Sequence, residues 1–440
     1  MPLPSPILQL HQQAEAYLAP WGEAPNADQP QDAPAAASTP VELVQTYGEL
    51  ELEYAAIRKS CGLFDTPHRA VIEVRGSERL AFLNRMLTQE LKGLKPREAR
   101  RSFWLNRKGR LDADLLLFET GSSILIDVDI HAAGRTLAGL EAFVIADDVT
   151  LADVSSAWSR FSLHGPTSAI LLDELVETTE GSVRVTALEP GGVSKVAFAA
   201  SEPDEHGNTE MAGVWVVRDD LTGERGLELF VPREHALLVY KRLLEAGSDP
   251  GLTIDGSRPT LGHRVRLRPI GWHAFNIARI EAGTPIYNID FGPENLPAES
   301  GILDQRVSFT KGCYLGQEIV ARMHARGHPK QTLVALKVEP AAHARDAASG
   351  LPFMPISGGH VFAVSAGTAM DASIATGDNA VGVITSSSLA PMLSASPVCF
   401  AQVKWGHHLP GTKHMVMTEG VPAAATVQPT LSFWRPAASS

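Results

Sequence analysis

A chain of 440 residues, 44% of them hydrophobic, is long enough to bury more than one core, so a globular protein of two or three domains is expected. Its formal charge of −12, with basic residues scattered, denies it the sustained positive surface that a phosphate backbone demands, and nucleic acid is not expected as a partner. Cys61, Cys313 and Cys399, with no Cys-x-x-Cys spacing, argue against a disulfide framework and a self-contained cysteine-ligated cluster, and no stretch approaches the roughly 20 apolar residues of a membrane helix.

Residues 1–40 contain neither Lys nor Arg and are rich in Ala, Pro, Gln and Asp. They lack the charged head of a secretion signal and the Arg-rich character of a transit peptide, and read as a flexible tail with a short helix at 9–17. The sparse cysteines then point to a reducing cytoplasm. Helical spacing of Leu43, Val44, Tyr47 and Leu50 predicts a helix over 41–60, before Gly62. Alternation at Val71, Glu73 and Arg75 predicts a strand, and Leu83, Met86 and Leu87 mark a helix over 80–91. Phe103-Trp104-Leu105 leads into a hairpin turned by Asn106-Arg107-Lys108-Gly109, with strands over 111–118 and 123–128. A strand over 211–217 and a helix over 234–245, ended by Gly247, repeat the theme as a second lobe. From Gln331 onward, β-like runs at 332–338, 360–364 and 398–403 alternate with Gly, Ser and Pro, the pattern of a small β-barrel. The chain thus divides into a tail (1–40), a region of two α+β lobes (41–330) and a barrel domain (331–438).

The densest chemistry lies in Lys311-Gly312-Cys313-Tyr314-Leu315-Gly316-Gln317-Glu318. A thiol beside a lysine at a helix start favours thiolate, which makes Cys313 a candidate reactive group; the plain alternative is a small residue in a tight turn. His324 and His328 lie four apart, but Gly327 interrupts the helix they would share and no third ligand has matching spacing, so no metal site is expected.

That octapeptide resembles the signature of the YgfZ-type folate-binding proteins, relatives of the glycine-cleavage T-protein, an aminomethyltransferase. The likeness extends in order through Gly62-Leu63-Phe64-Asp65, Leu105-Asn106 with Gly109-Arg110, His164-Gly165-Pro166, Thr222-Gly223-Glu224 with Gly226-Leu227-Glu228, and Arg279-Ile280-Glu281-Ala282-Gly283, to Gly382-Val383-Ile384-Thr385-Ser386. It implies an α+β fold, a T-protein-like ring of three domains around a central folate channel with a C-terminal β-barrel. It also implies tetrahydrofolate, or a one-carbon derivative, as cofactor and iron–sulfur client or assembly proteins as partners.

By the same resemblance Asp114 matches the aspartate that faces the reactive nitrogens of tetrahydrofolate, with Asp112 a weaker candidate on the same strand face. Glu228 matches a glutamate that holds the pterin through paired hydrogen bonds, Glu224 is a second cofactor candidate, and Asp129 falls near a folate-binding asparagine across a one-residue gap. Lys311 offers a cation for an anionic polyglutamyl tail. Phe275 stands where the T-protein pattern has a folate-binding arginine, and Leu221 where it has a tyrosine. The function implied is support of iron–sulfur cluster assembly or repair through folate and an essential Cys313. The alternative is a folate-dependent aminomethyltransferase or demethylase.

Overall fold

The computed structural model describes residues 4–22, 41–199, 209–248, 267–339, 345–364 and 379–435. Helix α1 (Leu8–Gln13) leads to β1 (Tyr17–Pro20), which pairs antiparallel with β2 (Glu42–Thr46). Helix α2 (Leu50–Lys59), β3 (Cys61–Asp65), β4 (Arg69–Arg75), α3 (Arg79–Met86), β5 (Ala99–Leu105), β6 (Leu111–Glu119), β7 (Ile124–Asp129), α4 (Ile130–Glu141) and β8 (Thr150–Asp153) follow. Next come β9 (Trp158–His164), α5 (Ser168–Leu175), β10 (Glu177–Thr178), β11 (Val193–Ala199), β12 (Met211–Arg218), β13 (Gly226–Pro232), α6 (Ala236–Ser248), β14 (Leu267–Pro269) and α7 (Trp272–Ala282). Short α8 (Leu303–Arg306) and α9 (Gln317–Arg326) precede β15 (Gln331–Glu339), β16 (His360–Ala363), β17 (Ala380–Ala390), β18 (Ser396–Lys404), β19 (Lys413–Thr418) and β20 (Val421–Val427).

Two sheets do most of the positioning. A five-stranded sheet runs β5-β6-β7-β4-β8, and a seven-stranded sheet runs β10-β11-β12-β13-β9-β3-β14. Because strand side chains alternate between faces, each strand serves two environments. On β6, Ala113, Leu115 and Leu117 face a core shared with Phe82 and Leu83 of α3 and Leu140 of α4. On β13, Leu227, Leu229 and Val231 face a core shared with α5 and α6. The alternate residues Leu116 and Phe118 of β6 meet Trp215 of β12 and Phe230 of β13, with Phe118 and Phe230 ring centroids 4.9 Å apart. The two sheets therefore pack face to face. The same alternation assigns Asp114 to the inner face of β6 and Glu228 to the inner face of β13.

Strands β15-β18-β17-β16-β19-β20 close the expected barrel. It is joined to the rest through α7. Ile280 packs against Leu333, Ala335 and Phe400, and the fully buried Arg279 pairs with Asp290 at 2.6 Å while donating to Ser386 Oγ on β17 at 2.7 Å.

Several boundaries differ from the sequence pattern. The stretch 41–60 is not one helix: its first part is β2, which buries Leu43 and Val44 against the N-terminal segment, and the helix begins at Leu50. Residues 4–22 are not a free tail, since α1 and β1 dock with Ile7, His11 and Trp21 buried; the expected tail over 23–40 lies outside the described residues. The helix predicted over 80–91 stops at Met86. Gly247 does not end α6, which continues to Ser248; a Cβ there would sit 2.3 Å from Leu267 Cβ, so the glycine admits β14. Among the described residues no helix is long and apolar enough to cross a membrane.

Candidate functional site

At one end of the layer between the sheets, the apolar side chains give way to ionic ones around a cavity of about 70 Å³. Asp114 and Glu228 both line it, as do Arg69, Arg101, Asp127 and Arg306. Two chains of charge run through the wall. In one, Arg306 Nε donates to Asp114 Oδ1 at 2.9 Å, Arg101 lies 3.6 Å from Asp114 Oδ2, and Arg101 also binds Asp219. In the other, Arg160 donates to Glu228 Oε2 at 2.9 Å and to Asp127, which Arg69 also grips at 2.7 Å. Arg160 lies over the Phe230 ring, 3.6 Å from its centroid.

Burial dominates the electrostatics. It pushes the Glu228 carboxyl up to about 7, with Arg160 only partly opposing. Asp127 is also penalised by burial, yet Arg160 and Arg69 together hold it below the ordinary carboxylate range. Burial and neighbouring Arg69 keep His68 well below a normal imidazole. A buried carboxyl raised in this way inside a cavity makes Glu228 a candidate binding or acid–base group. Glu228 Oε1 accepts no hydrogen bond among the described residues, so half of its acceptor capacity is unspent.

The remaining walls are flat and apolar. Phe275 of α7 stacks on Phe64 of β3 with centroids 5.2 Å apart and planes at 27°, and Leu221 lines the same cavity. Both departures from the T-protein pattern thus lie in the cavity wall. Residues Thr284 to Tyr287 also line the cavity, and the Tyr287 hydroxyl donates to Asp112 O at 2.8 Å and accepts from Arg135 at 2.7 Å.

A second, roomier cavity of about 650 Å³ lies beyond one layer of side chains. Trp21 lines it and packs 4.4 Å from His68 of the first cavity; Trp272 lines it and packs 5.7 Å from Phe275. His131, Arg135 and the β17 hydroxyls Thr385 to Ser387 supply polar groups.

The other predicted residues go elsewhere. Lys311 is corrected: its ammonium is buried and donates to the carbonyls of Asn84 (2.6 Å), Leu87 (2.7 Å) and Gln89 (2.9 Å), which uses all three of its N–H bonds. It closes the C-terminal end of α3 and has no donor left for a folate tail. Burial lowers its pKa to about 8. Glu224 lies outside both cavities, half-buried, where burial raises its carboxyl and Arg58 opposes. Asp129 caps α4, accepting from His131 N (3.0 Å), and also takes Trp21 Nε1 (3.1 Å) and Asn288 Nδ2 (3.0 Å). Asp112 is half-buried and bound by Asn106 Nδ2 at 3.2 Å, away from the cavity lining.

Cys313 is exposed, three residues ahead of Gly316 at the start of α9 and outside both cavities. Its neighbours fix the loop. Tyr314 is buried in the five-stranded sheet's core, and Gly316 adopts φ +80°, where a Cβ would lie 3.2 Å from Asn106 O. His324 stacks on Phe309 at 3.9 Å while His328 stacks on Trp405 at 5.0 Å, so the two histidines serve different contacts.

Sequence reasoning missed the four arginines. Their signal was present, since Arg69 shares the inner-face parity of Val71, and Arg160 that of Ser162, on opposite sheets.

A family model described as the GCVT N-terminal domain matches residues 10–311. The aminomethyltransferase of Desulfitobacterium hafniense is 27% identical over 67% of this chain and 72% of its own length. That of Chlorobium chlorochromatii is 25% identical over 85% of this chain and 87% of its own. The crystal structure of the glycine cleavage system aminomethyltransferase T from Bartonella henselae superposes with a TM-score of 0.72, covering 99% of each chain at 20% identity, which is a likeness of fold.

Proposed function

The chain belongs to the GCVT N-terminal domain family, and on that footing we propose that it is a tetrahydrofolate-binding protein of YgfZ type that acts on one-carbon units in the cytoplasm. The observation that carries this reading is the convergence of Asp114 and Glu228, 114 positions apart, on one cavity. The residues suit the ligand. Glu228 Oε1 is open to accept from a pterin ring N–H or amine, Phe64, Phe275 and Tyr287 offer flat walls, and the larger cavity has indoles for an aryl group and Arg135 for a glutamyl carboxylate. The folate-binding region is assigned to 41–330 and the barrel domain to 331–438, with docked residues 4–22 adding Trp21 to the ligand wall.

Tetrahydrofolate is expected to bind the wild-type chain saturably in calorimetry, and Asp114→Asn to weaken it at least about tenfold, roughly 1.4 kcal/mol. Absence of binding by the folded wild type overturns the reading.

Cys313 is assigned the thiol step, performed on an iron–sulfur client or assembly protein at the surface rather than on folate in the cavity. Its exposure supports this, as does the contrast with Cys61 and Cys399, which are buried with their thiols pushed up by burial. Native protein is expected to take up one equivalent of iodoacetamide, at Cys313. In cells lacking the protein, Cys313→Ala should fail to restore an iron–sulfur enzyme under oxidative stress where wild type restores it; full rescue by the variant removes the thiol from the mechanism.

A second reading, folate-dependent aminomethyl transfer, is favoured by the names of the relatives and by the paired acids, while Phe275 and Leu221 count against it. Formation of methylenetetrahydrofolate from an aminomethylated carrier protein decides between them.

A further inference from the structure

A separate cavity of about 40 Å³ lies where the docked N-terminal segment meets β3, β4 and β9. Ser5 of that segment lines it, together with Asp65 at the end of β3, Arg69 on β4, Ser155 in the turn before β9, and Ser159 on β9 itself. Arg69 also lines the cavity of Asp114 and Glu228, so one guanidinium stands between the two spaces.

The groups around this cavity offer donors and few acceptors. Ser159 is 5% exposed, and its Oγ is buried without a hydrogen-bond partner among the described residues. Such a buried hydroxyl calls for a water or an ion. Ser155 Oγ already accepts from Val71 N at 3.0 Å, so what it has left for the cavity is its O–H. Arg69 commits Nε and Nη2 to Asp127, and its Nη1 makes no hydrogen bond among the described residues. Arg233 lines the cavity while anchoring the N-terminal segment, donating from Nη2 to Pro4 O at 2.6 Å.

Charge agrees with the donor count. Three guanidiniums, those of Arg69, Arg160 and Arg233, line the cavity against one carboxylate, Asp65. That carboxylate is already engaged, since its Oδ2 accepts from Ser5 at 2.6 Å and lies 3.0 Å from His11 Nε2. Arg160 contributes charge alone, because its nitrogens bind Leu229 O, Asp127 and Glu228 on the other side. A water accepts at most two of the offered donors and must donate in turn. A small anion accepts from all of them, and hydrogen bonds to an ion are the stronger kind.

We propose that this cavity holds a small inorganic anion of the halide class, bound by the hydroxyls of Ser155 and Ser159 and by Arg69 and Arg233. The ion helps to fasten the N-terminal segment, whose Ser5 and Pro4 are held at the same place. It leaves Nε and Nη2 of Arg69 on Asp127, so the ionic wall around Asp114 and Glu228 is undisturbed. The site lies outside both cavities assigned to folate, and the inference stands without folate binding.

Bromide is the probe, since it carries the charge of chloride at nearly the same size and scatters anomalously. Crystals of the full chain grown in sodium bromide are expected to show an anomalous peak in contact with Ser159 Oγ and Arg69. In solution, urea midpoints are expected to rise along a saturating curve between about 5 and 300 mM bromide, at ionic strength held constant with gluconate, because the ion binds only the folded chain. Ser159→Ala is expected to move half-saturation to at least about tenfold higher bromide, the worth of one hydrogen bond to a charged group. Density at the site without anomalous signal means water and overturns the proposal, as does a wild-type midpoint that shows no saturable rise or a curve unchanged in folded Ser159→Ala. The crystal and the wild-type curve use the intact chain, so they decide the matter even if Ser159→Ala does not fold.

Discussion

Arg279→Ala is expected to destabilise the protein by about 3–5 kcal/mol, the cost of breaking a buried ion pair by removing one partner. Both side chains of the Arg279–Asp290 pair are at 0% exposure. The guanidinium commits four of its five N–H bonds: Nη1 donates to Asp290 (2.6 Å) and Thr284 O (3.1 Å), Nη2 to Ser386 (2.7 Å), and Nε to Asn276 (2.9 Å). Asp290 keeps three donors after the loss, from Thr385, Ser386 and the amide of Ile286, so the lower half of the range is the better expectation. The double substitution Arg279→Met with Asp290→Asn should recover a measurable part, since no unpaired charge then remains, and denaturant midpoints of the four proteins give the coupling. Additive losses would show that the pair is not the element joining α7 to the barrel. Thr284 to Tyr287, which line the cavity, lie between the two partners in sequence, so tetrahydrofolate affinity is expected to fall with stability.

What could be read from the chain was local or carried by motif. The hairpin at Asn106 to Gly109, the barrel strands and the helix after Gly316 follow from turn chemistry and periodicity, and Asp114 and Glu228 follow from motif context. Alternation put Asp112 on the same strand face as Asp114. It could not say which faces meet, and the ionic wall depends on that: Arg69 finds Asp127 58 positions away, and Arg101 finds Asp219 118 positions away. Composition misled at two places. A segment without Lys or Arg read as a tail, although Ile7 and Leu10 pack into the core with α5 and α6 and Trp21 into a separate core with α2 and α7. A lysine beside a candidate thiol read as a free cation, although three carbonyls at the end of α3 already required donors. Both errors have one cause, since one-dimensional pattern records what a side chain can do and not which groups have already claimed it.

Glu228→Gln is expected to make the protein more stable by about 3 kcal/mol above pH 7 and no more stable below about pH 4.5. Burial places the folded carboxyl near 7 against an ordinary 4.5. Below 4.5 it is protonated in both states and contributes nothing. Between 4.5 and 7 the unfolded chain releases its proton while the folded chain keeps it, so stability falls as pH rises. Above 7 both are ionised and the penalty is constant, about 3 kcal/mol at roughly 1.36 kcal/mol per pH unit. Glutamine imitates the protonated acid and can still accept from Arg160, so it escapes the penalty without opening a hole. Urea midpoints of the two proteins, measured from pH 4 to 9, should coincide at the acid end and diverge through pH 5–7; parallel curves would mean that Glu228 titrates alike in the folded and unfolded chain. The same substitution is expected to weaken tetrahydrofolate at pH 8, where the wild-type carboxylate can accept paired donors and the amide presents one oxygen only. Weaker tetrahydrofolate binding together with higher stability in Glu228→Gln would mark the carboxyl as one kept for a ligand rather than for the fold.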